Sequence, residues 1–182
     1  KWLASLKWNV LFIDGNHENF ELLDDYPVSS WHGGKVHFIK ESVVHLMRGQ
    51  IYIIDGLTFF TFGGGYSCDI ETRVEHRSWW QQELPTTKEW NEALNNLLQY
   101  NFHVDYIITH DCPFHIKELL HTRTIPCNLD DYTLPHLRNI DEVMDDIEQQ
   151  VTYKLWLSGH FHIDQTIYKH VILFNTIYCL ER

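Results

Sequence analysis

The chain has 182 residues, 44% hydrophobic and 14% aromatic, enough for one domain with a buried core and too apolar for a disordered chain. Its 14 basic and 25 acidic residues give a net charge of −11, which opposes an extended nucleic-acid surface and leaves any phosphate ligand in need of local positive charge, such as bound metal ions supply. No apolar run approaches the ~20 residues of a membrane-spanning helix, so no membrane association is expected. Cys68, Cys112, Cys127 and Cys179 lie far apart with no Cys-x-x-Cys pair. They read as packing residues of a reduced, cytoplasmic protein.

Trp2, Leu3 and Leu6 are spaced as on the last turns of a helix that feeds a buried strand at Val10–Ile13. Asp14-Gly15 ends that strand, and Asn16, His17 and Glu18 follow. Phe20–Asp25 reads as a short helix stopped by Pro27. Residues 35–62 read as a β-meander: Val36–Ile39, Val43–Met47, Gln50–Ile54 and Leu57–Phe62, with a hairpin at Asp55-Gly56. Gly63-Gly64-Gly65 permits a close backbone approach but lacks the spacing of a dinucleotide-binding loop. Residues 66–85 predict a loop with a helical turn or two, carrying Tyr66, Arg73, Arg77, Trp79 and Trp80.

Thr86-x-x-Glu89 is a capping box opening a helix with Trp90, Leu94, Leu97 and Leu98 on one face. Val104–Thr109 is a strand running into His110, and Ile116, Leu119 and Leu120 mark a short helix. Thr122–His136 reads as irregular. Ile140, Val143, Met144, Ile147 and Val151 predict a helix with an acidic, solvated outer face. The strand Leu155–Leu157 runs into Ser158-Gly159-His160-Phe161-His162. Gln165–Tyr168, Val171–Phe174 and Thr176–Leu180 complete the sheet. No repeat or linker interrupts this order, so residues 1–182 read as one mixed α/β domain.

Three buried strands therefore end in histidine, and ligands of α/β folds bind beyond the carboxyl ends of strands. Imidazoles with an amide oxygen, and without thiolate, suit Mn, Fe or Zn. His160 and His162 can serve one metal or two adjacent ones, with His110 and Asn16 completing a site. Two such ions ~3.5–4 Å apart clamp a transferring phosphoryl group, leaving His17 to protonate a leaving group and Glu18 to orient it. One histidine at a strand end is a weak signal by itself. His32, His37, His45, His76, His103, His115, His121, His136 and His170 are accordingly read as ordinary hydrogen-bonded residues. Tyr66, Trp79 and Trp80 are read as packing, and Arg73 and Arg77 as salt-bridge partners.

Gly15-Asn16-His17-Glu18, Thr109-His110 and Gly159-His160-Phe161-His162, in that order, resemble the last three motifs of the calcineurin-like metallophosphoesterases. The resemblance runs from about Trp8 onward and implies two sheets packed face to face with helices outside. It implies Asn16, His110 and His160 as ligands of one divalent metal ion and His162 as a ligand of the other. It also implies His17 as the group contacting the phosphate, Glu18 as its support, and a metal-bridging water as nucleophile toward a phosphomonoester or phosphodiester. The family's Asp-x-His and Gly-Asp-x-x-Asp motifs do not occur before Gly15. The chain is thus expected to be the C-terminal part of a larger domain, lacking its first βαβ unit, the bridging carboxylate and the cover of one sheet edge.

Two other readings stand beside this one. His160-x-His162-x-Asp164 is similar to the metallo-β-lactamase pattern, but Gln165 stands where that family has His. A chain without the first two motifs also fits a non-catalytic interaction domain.

Overall fold

Buried charge decides how the strands divide. The computed structural model describes residues 1–121 and 136–180. Among them, β1 (Val10–Phe12), β2 (Val28–Trp31), β3 (Gly34–Lys40) and β4 (Val43–Leu46) form one sheet, in the order β1-β4-β3-β2. The second sheet holds β5 (Gln50–Ile54), β6 (Leu57–Phe62), β7 (Tyr106–Thr109), β8 (Leu155–Ser158), β9 (Gln165–Ile167) and β10 (His170–Ile172), in the order β5-β6-β7-β8-β10-β9. Both sheets are mixed: β1 runs parallel to β4, and β6, β7 and β8 run parallel to one another. Among the described residues four α-helices accompany them: α1 (Phe20–Asp24), α2 (Thr87–Gln99), α3 (Phe114–Leu119) and α4 (Ile140–Gln150).

The predicted meander is therefore split between two sheets. The break falls at Arg48, whose buried guanidinium turns back to Asp14 at the end of β1. Its Nε and Nη2 both donate to Asp14 Oδ2, at 2.8 and 2.5 Å, and Nη2 also donates to the Gln82 carbonyl at 2.7 Å. His45 on β4 lies 3.1 Å from Asp14 Oδ1. Burial alone would raise the Asp14 carboxyl; Arg48 and His45 overcome it and hold the group well below the usual carboxylate range. β2 went unpredicted because its exposed-intermediate alternation carries two serines and no long apolar run.

One core lies between the second sheet and its helices. Phe60, Phe62, Ile107 and Trp156 meet Trp90, Ala93 and Leu97 of α2 and Ile140, Val143, Met144 and Ile147 of α4. The face of α4 is the one its spacing marked, whereas on α2 Trp90 and Leu97 are buried as expected, Ala93 joins them, Leu94 is only partly buried and Leu98 is exposed. Each large side chain buried there contributes about 1.5–3 kcal/mol over exposure. The Thr86–Glu89 capping box forms as expected. A second cluster joins the sheets: Val36, Val44 and Leu46 pack with Tyr52 of β5. The architecture is thus α/β, with two mixed sheets and flanking helices.

Three expectations fail. The start of the chain is a single 3-10 turn at Leu3–Ser5 without buried residues. Thr176–Leu180 is not a strand, because the chain curls around Asp164. That carboxylate accepts the backbone N–H groups of Phe174, Asn175 and Thr176 at 2.8, 3.1 and 3.2 Å and the Thr176 hydroxyl at 2.7 Å. The cysteines are not all thiols: Cys68 is disulfide-bonded, whereas Cys112 and Cys179 are free. The argument for a reduced compartment is lost with it. Cys127 and the segment from Thr122 up to residue 135 lie outside the described residues. Among the described residues no helix is long and apolar enough to cross a membrane.

Removing Arg48 would leave the Asp14 carboxylate buried without its partner. Arg48→Ala is expected to cost about 3–5 kcal/mol, read as a lowered urea midpoint. Arg48→Lys should recover little, since one ammonium cannot reproduce the forked contacts. A loss below about 1 kcal/mol for Arg48→Ala would show that the pair does not hold the sheets together.

Candidate metal centre

Strand order explains why distant histidines meet. Because β6, β7 and β8 are adjacent and parallel, their carboxyl ends open side by side. Gly63-Gly64-Gly65 follows β6, His110 follows β7 and Gly159-His160 follows β8. The loop after β1 belongs to the other sheet and is tied in by Gly64 N–H donating to the Asp14 carbonyl at 3.0 Å. Gly159 N–H likewise donates to the His110 carbonyl at 3.1 Å.

Three side-chain atoms converge there. His110 Nε2 lies 3.0 Å from Asn16 Oδ1 and 3.1 Å from His160 Nδ1. The two imidazoles meet edge to face, with centroids 4.8 Å apart. Gly65 closes one side: a Cβ built on it would stand 3.1 Å from His110, 3.5 Å from Asn16 and 3.7 Å from His160. Gly15 closes the other, where a Cβ would lie 3.0 Å from the His110 ring. His110 is thus held between two glycines, and a side chain at either would displace it.

The loop carrying His160 is strained. Phe161 N–H donates to the Gly159 carbonyl at 2.8 Å, and His160 sits between them at φ +67°. This is a γ-turn with a left-handed centre, a rare conformation for a residue with a side chain. His162 is left-handed as well, at φ +53°. Such outliers gather at functional sites.

The remaining candidates surround this triad without joining it. His17 is exposed, and its Nε2 lies 3.3 Å from Asn16 Nδ2. Partial burial and the nearby Arg73 charge lower its pKa. Arg73 itself pairs with Asp69, the ordinary role expected of it. Glu18 makes a long contact of 3.4 Å with the Gly15 N–H and acts on His17 through charge. His162 is exposed and stacks on Phe174 at 4.8 Å. Asp164 is occupied by backbone donors, which leaves the metallo-β-lactamase pattern without its carboxylate.

Of the histidines read as ordinary, His37 and His45 are buried in the Asp14 network and His170 is buried against Glu148 at 2.8 Å. Tyr66 and Trp80 are core residues, as expected. Two cavities of about 400 and 440 Å³ lie elsewhere, and neither is lined by Asn16, His110 or His160. Ser67 and Glu83, both buried behind Asn16, were not anticipated. A serine just past the triple glycine and a glutamate before Pro85 leave no distinctive pattern in the chain.

The donor set fits a divalent cation. Ligand atoms at ~2.1 Å from one ion and at right angles to each other lie roughly 3 Å apart, the separation of His110 Nε2 from both Asn16 Oδ1 and His160 Nδ1. Burial lowers the pKa of both imidazoles, that of His110 to about 4, so both offer neutral rings. The set is nonetheless lean. Among the described residues no group of three His, Cys, Asp or Glu side chains is placed to hold a metal ion, since the third donor here is an amide. No protein-family model matches the chain, and no curated protein does either.

The His110 ring gives a pH signature. Its folded pKa lies below the ordinary 6.5, so on acidification the unfolded chain takes up this proton first. The stability it contributes is complete above pH 6.5 and is lost as pH falls toward 4. In chelator-treated protein the loss should be on the order of 3 kcal/mol. Urea midpoints at pH 7.5, 5.5 and 4 should fall more steeply for the native chain than for His110→Gln. Parallel curves would show an ordinarily solvated ring.

Proposed function

We propose that this chain carries the metal-binding and leaving-group side of a metal-dependent phosphoesterase. The observation that supports the reading is that His110 Nε2 meets both Asn16 Oδ1, at 3.0 Å, and His160 Nδ1, at 3.1 Å. Those residues would hold one divalent cation (Mn, Fe or Zn), and His162 would face a second. A cation held there supplies positive charge to a phosphoryl oxygen and acidity to water. The chain needs such a charge, because its own balance of −11 repels phosphate.

The protein's own groups do the rest. Asn16 Nδ2 reaches His17 at 3.3 Å, so the amide that offers its oxygen to the cation also steadies the imidazole beside it. His17 stands exposed next to the triad, where it can give a proton to a departing alkoxide, a step worth ~10²–10⁴-fold. Arg73 adds a second positive group near His17, tempered by its pairing with Asp69. Glu18 places a negative charge near His17, which favours the protonated ring.

A second reading, a non-catalytic interaction domain, draws on one observation: His162 is apart from the triad, stacked on Phe174. Metal analysis separates the two. The phosphoesterase reading expects about one tightly held Mn²⁺ or Zn²⁺ per chain, with affinity lowered at least tenfold in His110→Ala and His160→Ala. It expects His17→Ala to keep the metal while hydrolysis of an alkyl phosphate, whose leaving alkoxide needs the proton, slows by ~10²-fold or more. A native chain that holds no metal would favour the interaction domain.

A further inference from the structure

Behind the triad runs a buried hydrogen-bond chain that the phosphoesterase reading does not use. Asn16 Nδ2 donates to Ser67 Oγ at 3.0 Å, and Ser67 Oγ donates to Glu83 Oε2 at 2.5 Å. All three residues are at least 95% buried, with exposures of 5%, 1% and 1%. The direction of the chain is fixed at its far end. At pH 8, where the Glu83 carboxylate is ionised, it only accepts, so the single hydroxyl proton of Ser67 points to Glu83 and its lone pairs face Asn16. The Asn16 amide must then present Nδ2 to Ser67 and Oδ1 to His110. The flipped amide would set two acceptors against each other and turn N–H groups toward the triad.

Glu83 is held firmly for this task. Its backbone carbonyl accepts Gly65 N–H at 3.0 Å, and its N–H donates to Trp80 at 3.0 Å. It is therefore fastened to the loop that packs against all three triad residues. Its other oxygen, Oε1, is buried with no hydrogen-bond partner among the described residues. Burial lifts the carboxyl to about 7, so the group is maintained at a cost to the fold. A residue without an acceptor there would be more comfortable and would leave Ser67 free to turn its proton toward Asn16.

We propose that Glu83 is a positioning residue: acting through Ser67, it locks the Asn16 amide so that its carbonyl oxygen, not its nitrogen, faces His110 and His160. The proposal rests on the reading of the triad as a metal centre. It assigns specificity for a cation to a residue 67 positions away that never touches it.

The test is Co²⁺ binding at pH 8, followed by calorimetric titration and by the visible absorption of the bound ion. Glu83→Ala and Ser67→Ala should each weaken Co²⁺ binding 10–100-fold and alter the absorption band. Glu83→Gln, whose amide oxygen still accepts from Ser67, should restore binding to within a few-fold of the native chain. Asn16→Asp supplies an oxygen at both ends of the side chain, so orientation no longer matters. In the Asn16→Asp background, adding Ser67→Ala should therefore cost nothing further. Equal losses in both backgrounds would mark a merely structural role and overturn the proposal, as would native-like binding by Glu83→Ala or Ser67→Ala. A native chain that binds no Co²⁺ would overturn the metal centre itself, a result distinct from either.

Discussion

The pairing of Asp14 with Arg48 sets the terms for the rest of the molecule. A carboxylate and a guanidinium, each less than a tenth exposed, are removed from water together and need close geometry to be tolerated. Asp14 ends β1 in the four-stranded sheet, and Arg48 begins the passage into the six-stranded one. Their bond therefore fixes how the sheets stand relative to each other. It also dictates Gly63: a Cβ there would come within 2.2 Å of Asp14 Oδ1, so the backbone after β6 can approach only because it has no side chain. That approach brings Gly65 against Asn16, His110 and His160. The triad is thus assembled by a charge pair that takes no part in it.

Two independent devices then converge on one small volume. Parallel β6, β7 and β8 aim their carboxyl ends the same way, a property of topology. The β1 loop arrives from the four-stranded sheet through the Gly64–Asp14 backbone bond, a property of packing. Neither alone would place an amide oxygen against two imidazoles. Next to His110 in the chain, Asp111 is tied into an ion network with Lys117 and Asp141, its Oδ1 2.8 Å from the Lys117 ammonium. His110 therefore follows a residue that is itself immobilised, which limits how far its ring can stray.

Local signals survived translation into structure best. The Asp55-Gly56 hairpin, the Thr86 capping box and the periodic faces of α2 and α4 each depend on residues within a few positions. The apolar runs ending in His110 and His160 held for the same reason. What could not be read depends on distant partners. Nothing local in Met47-Arg48-Gly49 announces that the arginine pairs with a residue 34 positions earlier and splits the meander. Ser67 and Glu83 acquire meaning only from Asn16. Thr176–Leu180 has β-prone composition, yet one carboxylate, Asp164, captures the backbone donors at its start and just before it, those of Phe174, Asn175 and Thr176. The disulfide at Cys68 reversed an inference drawn from spacing alone.

The left-handed backbone at His160 and His162 has an implication for how this loop tolerates change. Each non-glycine residue in that conformation costs about 1 kcal/mol or more. Selection for stability alone would replace both histidines with glycine or asparagine, and the fold would gain from the exchange. His32, Asp55, His76, Asn101, Phe102 and Tyr168 share the conformation, so the strain is a general feature of the loops and not peculiar to this one. At His160 and His162 it means that glycine should stabilise the loop by the same substitution that removes an imidazole.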